Sequence, residues 1–263
     1  METDLDRLHA AMNAAPENDA ARLAFYDRLA DAELFLLLAE EPLGDTIEPA
    51  LVDLEEGRAA LAFDTEARLA AFAEGPAPYA ALPGRVVARL LSAEGLGLGL
   101  NLAVAPSATL LPAGALGWLA GMLGQAPAEA AARPVAYGPP AGVPQALLAA
   151  LDAKLARLAG LAARAHLVAV TWEGGGQGHL LVVEDALPGA EAALAKAVSE
   201  ALVFSGIEAG ALDVTFLASG DAALGDIARQ ALSFDLPAPA VETAQVLSPA
   251  APGTDPSRPP RLR

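Results

Sequence analysis

Gly95-Leu96-Gly97-Leu98-Gly99-Leu100-Asn101 opens a stretch, residues 95–128, that contains no Asp, Glu, Lys, Arg or His. A run of that length could cross a bilayer. Its punctuation argues otherwise, because glycine and leucine alternate with the period of a strand. Asn101, Pro106 and Pro112 then interrupt any continuous helix. The spacing predicts an interior strand over 98–104, a turn and short extended piece over 105–111, and a helix over 112–123 with Pro112 in its first turn. The missing charges mark a domain interior.

Upstream of this stretch, residues 83–93 predict a helix with Val86, Val87, Leu90 and Leu91 inward and Arg85 and Arg89 four apart on one side. Before it, Thr65 caps a helix carrying Leu69 and Phe72, and Gly75-Pro76-Ala77-Pro78 stops that helix. Residues 50–54 and 59–63 read as a hairpin about Glu55-Glu56-Gly57, with glycine where φ must be positive. Residues 34–38 are an apolar run of strand length, followed by a loop at Glu40-Glu41-Pro42-Leu43-Gly44. A helix begins after Pro16-Glu17-Asn18-Asp19, and residues 1–15 read as an N-terminal tail or weak helix.

Downstream, residues 125–133 are rich in Ala and Pro and read as a linker. Strands at 134–137, 165–172, 178–184 and 212–218 alternate with helices at 143–160 and 189–204, and a last helix covers 221–232. The first six elements have the β-α-β-β-α-β order of a ferredoxin-like plait. Leu148, Leu151, Leu155 and Leu158 form one helical stripe, and Leu194, Val198 and Leu202 another. From Leu236 onward lie seven of the 21 prolines and few large apolar residues, so residues 236–263 are expected to be disordered. The fold class is therefore α+β: two small α/β-sandwich-like domains, at 16–124 and 134–235.

The formal net charge is −17, with 16 Lys+Arg against 33 Asp+Glu. That balance leaves little to build the basic face that a nucleic acid or an anionic membrane surface requires. No cysteine occurs, so disulfides, thiolate metal sites and thiol nucleophiles are excluded. Glu2, Asp4 and Asp6 occupy the place of a basic secretory n-region, and no apolar segment follows them, which predicts a cytoplasmic address.

The order of motifs resembles that of the enhanced-serine-sensitivity (SseB) family of bacterial proteins, which pairs an N-terminal and a C-terminal domain of that name. The resemblance spans residues 19–235. It rests on Phe25-Tyr26 before the strand at 34–38, on Leu61-Ala62-Phe63-Asp64-Thr65, on Leu82-Pro83 opening a helix, on Leu98-Gly99-Leu100-Asn101, and on Pro112. Ser233-Phe234-Asp235 departs from the family's Pro-Phe-Tyr ending. These signatures imply a fold and bring no catalytic residues with them.

Motifs that carry chemistry resolve into structural readings. The glycines at 95, 97 and 99 enter a strand rather than leave one for a helix, which is the wrong context for a dinucleotide fingerprint. Gly174-Gly175-Gly176-Gln177-Gly178 lacks the Lys-Ser/Thr of a phosphate loop and reads as a hairpin loop. Folding that hairpin about Gly175–Gly176 sets His179 near Trp172 and His166 near Asp185, roughly 20 Å apart and too far to share a metal. No serine sits in a Gly-x-Ser-x-Gly elbow, so no triad is nominated. Asn101, the polar residue inside the apolar stretch, is expected to hold the backbone of a neighbouring turn.

The sequence thus predicts a non-catalytic binding protein without cofactor or metal: an interaction or regulatory module with an unidentified protein partner. Its contact surface is expected in the groove between the domains or on an exposed sheet face. The alternative is a small-molecule sensor connected with amino acids, in which Arg85 and Arg89 meet a carboxylate; an uncharacterised enzyme ranks third. Arg85, Arg89 and Asn101 are the candidate ligand or partner residues, with solvated charge and backbone support as their plainer readings.

Overall fold

A computed structural model describes residues 2–41, 46–54, 57–127, 132–206 and 212–237 of the 263. The N-terminal half contains α1 (Asp4–Ala14), α2 (Asp19–Asp31), β1 (Glu33–Leu37), β2 (Leu51–Leu54), β3 (Gly57–Phe63), α3 (Glu66–Ala73), β4 (Tyr79–Pro83), α4 (Gly84–Ala93), β5 (Gly97–Leu100), β6 (Thr109–Leu111) and α5 (Ala113–Gly124). Its sheet runs β4-β1-β3-β5-β6, with β2 also paired to β3. β3 and β5 are parallel, joined through α3, β4 and α4, and the other pairs are antiparallel. Ala59 to Phe63 are all buried because both faces of β3 are covered. On one face lie Phe25 and Leu29 of α2, Val87 and Leu91 of α4, and Leu116 and Leu119 of α5. On the other lie Leu69 and Phe72 of α3, with Leu102 and Val104.

The strand expected to run to residue 104 ends at Leu100, since Asn101 and Ala103 take φ values of 51° and 62° that leave the extended region. The expected N-terminal tail folds as α1. Thr3 and Asp6 form its capping box, and Leu5, 1% exposed, belongs to the core. Edge strand β4 was hidden behind the Gly-Pro stop signal, and its alternating exposure is that of a half-covered strand. Glu55 and Glu56 of the expected hairpin and residues 42–44 of the expected loop lie outside the described residues.

The C-terminal half contains β7 (Pro134–Gly138), α6 (Gln145–Ala156), β8 (Arg164–Trp172), β9 (Gln177–Glu184), α7 (Glu191–Phe204), β10 (Leu212–Leu217), α8 (Leu224–Gln230) and β11 (Leu232–Asp235). The β-α-β-β-α-β element order is present and the class is α+β, with two sheets. The pairing is a simple path, β10-β9-β8-β11, with β9 and β10 parallel across α7. The long strand β8 is shared, pairing with β11 at residues 164–167 and with β7 at 169–172. The expected last helix, 221–232, is observed as the shorter α8, and β11 follows it from Leu232. Leu236, at the start of the expected disordered tail, is buried against α6 and β8, and the Pro237 carbonyl accepts a hydrogen bond from Gly160 N–H at 2.9 Å. Residues 238–263 of that tail and residues 128–131 of the expected linker lie outside the described residues.

The helix layers of the two halves meet, with α2 and α5 packing on α7. Phe204 of α7 is buried in the N-terminal core, and its ring lies 6.2 Å from that of Trp118 on α5. Among the described residues no helix is long and apolar enough to cross a membrane.

Candidate functional site

Four helices supply an ion cluster at this seam. Asp27 and Asp31, one turn apart on α2, face the other half. Gly84 opens α4 against the end of α2: its N–H donates to the Ala32 carbonyl at 2.7 Å, and a Cβ there would overlap the Leu29 carbonyl. That close approach brings Arg85 beside Asp31. From the other side come Lys154, in α6, and Arg157, which caps α6 at its C-terminus. Glu200 comes from α7.

Lys154 lies at the centre, 3% exposed. Its Nζ donates to Asp31 Oδ2 at 2.7 Å and to Glu200 Oε2 at 3.2 Å. The same Nζ lies 2.7 Å from Asp27 Oδ1, an ion contact whose angle falls outside hydrogen-bond geometry. Arg85 makes a fork to Glu200, with Nη1 to Oε1 at 3.0 Å and Nη2 to Oε2 at 3.1 Å, and its Nη2 also reaches Asp31. Arg157 Nη1 donates to Asp31 Oδ2 at 2.7 Å.

The two α2 carboxylates titrate in opposite directions. Burial opposes ionisation of Asp31, but the Lys154 charge and hydrogen bonds from Lys154 and Arg85 outweigh it and hold the carboxyl below its ordinary value. Burial dominates at Asp27 and, with the neighbouring Asp31 charge, raises it against the pull of Lys154 and Arg157. Burial also works against the Lys154 charge, yet Asp27 and Asp31 hold its ammonium above the ordinary lysine value.

Beside the cluster is a groove of about 340 Å³, bounded by α2, the start of α4, α6 and α7. Ala30, Pro83, Leu158, Ala193 and Ala197 are its apolar lining, and Arg85, Lys154, Arg157 and Lys196 its cations, against Asp31 and Glu200. The volume falls at the lower end of the ~300–1,000 Å³ typical of small-molecule sites. A second groove, about 90 Å³, lies between β2–β3 and β5–β6 and includes Leu54 and Leu110.

The three sequence-predicted residues separate. Arg85 lines the seam groove; Arg89, one turn on, is exposed and is not among its lining residues. Asn101 is fully buried elsewhere. Its Oδ1 accepts the Asp64 N–H at 3.0 Å and its Nδ2 donates to Ser107 Oγ at 2.9 Å. Ser107 donates in turn to Asp6, which Arg68 also contacts. Burial opposes the Asp6 charge, but Arg68, Ser107 and the Thr3 N–H together hold that carboxyl well below its ordinary range.

Asp27, Asp31, Lys154, Arg157, Lys196 and Glu200 were missed. Lys154 carried a signal, since it falls among Leu147, Leu151 and Leu155 on the buried stripe of α6. The stripe Ala193, Lys196, Ala197, Glu200 is a second face of α7 at helical spacing, beside the apolar one.

The histidines are also rearranged. β8 and β9 pair with His166 opposite Val182 and Ala169 opposite His179, a register three residues from the expected one. His166 is buried between Ser233 Oγ, 2.8 Å from Nδ1, and Glu184 Oε2, 3.2 Å from Nε2. This Ser-His-Glu line runs β11-β8-β9 and lines neither groove, so it is read as a tie across the sheet. Among the described residues no group of three or more His, Cys, Asp or Glu is placed to hold a metal ion.

No curated protein and no solved structure matches this chain. Residues 8–114, which bring Asp27, Asp31 and Arg85 to the seam but include neither α6 nor α7, match the family model of the SseB protein N-terminal domain.

Proposed function

We propose that this protein is a non-catalytic regulatory module of the SseB type, acting in the cytoplasm, that contacts a protein partner at the seam between its two domains. Residues 134–235 are read as the C-terminal domain of that family. The observation that carries the reading is the groove of about 340 Å³ beside a buried ion cluster. Recognition surfaces favour domain junctions, where two rigid units can present one concave surface. The cluster fixes the relative position of α2, α4, α6 and α7, so an occupant of the groove meets a preformed shape.

The test is affinity capture with the full chain and with Ala193→Trp, which fills the groove from an exposed position on α7. A stoichiometric protein retained by the wild type and lost from the variant is the expected result. A partner held equally by both removes the seam as the contact surface, and the absence of any partner removes the interaction reading.

The groove volume favours a second reading, a small-molecule sensor. Arg85 serves that reading through the groove wall; Arg89 does not.

A further inference from the structure

We infer that the seam groove binds a short aliphatic carboxylate that carries no ammonium group. The inference rests on the groove being a recognition site and adds the chemistry of its ligand.

Its first support is the sign of the charge. The groove is lined by four cations, Arg85, Lys154, Arg157 and Lys196, and two carboxylates, Asp31 and Glu200, in a chain of net charge −17. Counting Asp27, which contacts Lys154 from behind the lining, four cations face three carboxylates, so the surface is still locally positive by one charge, and beyond roughly 8 Å the remaining negative charge is largely screened at physiological ionic strength.

Its second support is the distribution of hydrogen-bond capacity. The Lys154 ammonium is enclosed by carboxylates, hydrogen-bonded to Asp31 and Glu200 and in ion contact with Asp27. Arg157, by contrast, contacts only Asp31 among the described residues, through one Nη, which leaves most of its five N–H groups available. Lys196 donates to the Leu123 carbonyl at 2.7 Å and meets no carboxylate among the described residues, leaving two N–H groups. Donors from α6 and α7 are therefore available to an incoming anion.

The acceptors that line the groove are largely taken. Asp31 already receives Arg85, Lys154 and Arg157, and Glu200 receives Arg85 twice and Lys154, while Asp27, whose Oδ1 accepts no hydrogen bond, is not among the lining residues. A ligand ammonium entering the groove would displace one of these cations or stay unpaired, whereas a carboxylate can be received by Arg157 and Lys196 without breaking the cluster. Leu158, Ala193 and Ala197 supply an apolar wall for a short aliphatic body. The volume, about ten water molecules' worth, suits a small one.

The experiment uses the full chain and a matched series: butyrate, 2-aminobutyrate and butanamide, each at 20 mM and equal ionic strength, pH 7. They share a four-carbon body and differ in charge. Butyrate is expected to raise the thermal midpoint by about 2–4 °C at saturation, because it binds only the folded form. The amide and the zwitterion are expected to leave the midpoint unchanged. Lys196→Gln, and Arg157→Gln with Lys196→Gln, are expected to abolish the rise, while Arg89→Gln keeps it. Lys196→Gln alone disturbs no ion pair, which covers the case of a double variant that folds poorly. No rise with butyrate, a rise that survives Lys196→Gln, or an equal rise with 2-aminobutyrate or butanamide overturns the inference. Partner capture is read separately, so loss of the carboxylate leaves the interaction reading standing or falling by itself.

Discussion

Lys154 Nζ and Asp31 Oδ2 lie 2.7 Å apart although 123 residues separate them in the chain. The contact joins α6 of one half to the last residue of α2 in the other, with Lys154 buried and the Asp31 side chain 10% exposed. Breaking a buried pair from one side leaves an uncompensated charge in a dry site, which costs more than the intact pair contributes.

Lys154→Met is therefore expected to lower the unfolding free energy by about 3–5 kcal/mol in urea titration. Asp31→Asn added to that variant should cost less than it does in the wild type, since the pair is already broken. Strict additivity of the two would mean that the groups do not couple.

The pH dependence has a definite sign at each group. Asp31 is depressed below its ordinary 3.8, so its contribution is present above 3.8 and is lost as pH falls below it. Asp27 is raised above 3.8, so its ionisation costs stability as pH rises from 3.8 through its folded value. Lys154 is raised above 10.5, so its contribution is present below 10.5 and is lost as pH climbs past it. The midpoint difference between wild type and Asp31→Asn should shrink as pH drops under 3.8. A difference that stays constant on acidification contradicts the assignment.

Two glycines should respond oppositely to alanine. Gly84→Ala drives a methyl into the Leu29 carbonyl and should cost about 1–3 kcal/mol while parting Arg85 from Asp31. Gly121→Ala in α5 has nothing within 4 Å of the new Cβ, and should add about 0.5–1 kcal/mol. Thermal unfolding of the two variants side by side gives the comparison.

At Asn101 the backbone and the amide can be separated. The residue has φ 51°, which glycine adopts freely and alanine does not. Both Asn101→Gly and Asn101→Ala lose the bonds to Asp64 and Ser107 and should be destabilised, the alanine variant by about 1–2 kcal/mol more. Equal losses would show that the left-handed backbone carries no cost there.

Phe204 belongs by sequence to α7 and by packing to the N-terminal core, where it meets Trp118. The wild type is expected to unfold in one calorimetric transition, and Phe204→Ala to cost about 3–5 kcal/mol and divide it in two. A single transition in the variant would show that Phe204 is not needed to couple the halves.

Much of the N-terminal fold was legible locally. Thr65 caps α3 as its sequence context indicates, and the Gly-Leu alternation marks β5. β4 and β11 were not legible: each is short, lies outside any clear period-two run and exists through its pairing, with β1 and β8 respectively. In the candidate site, Arg85 stood out as a charge on an amphipathic helix, but nothing local to it named Glu200, 115 residues away.

The sequence by itself determined the α+β class, the apolar face of α7, the acidic balance and the absence of thiol chemistry, because each follows from residue type or from spacing within one element; on α4 the expected inward set held for Val87 and Leu91 but not for Leu90, which is 41% exposed. Only the tertiary structure decided which charges meet. Whether Lys154 is a solvated cation or the centre of a buried cluster depends on α2 and α7 reaching it at about 3 Å. Contacts of that kind are set by how two sheets dock their helices, not by any repeat along the chain.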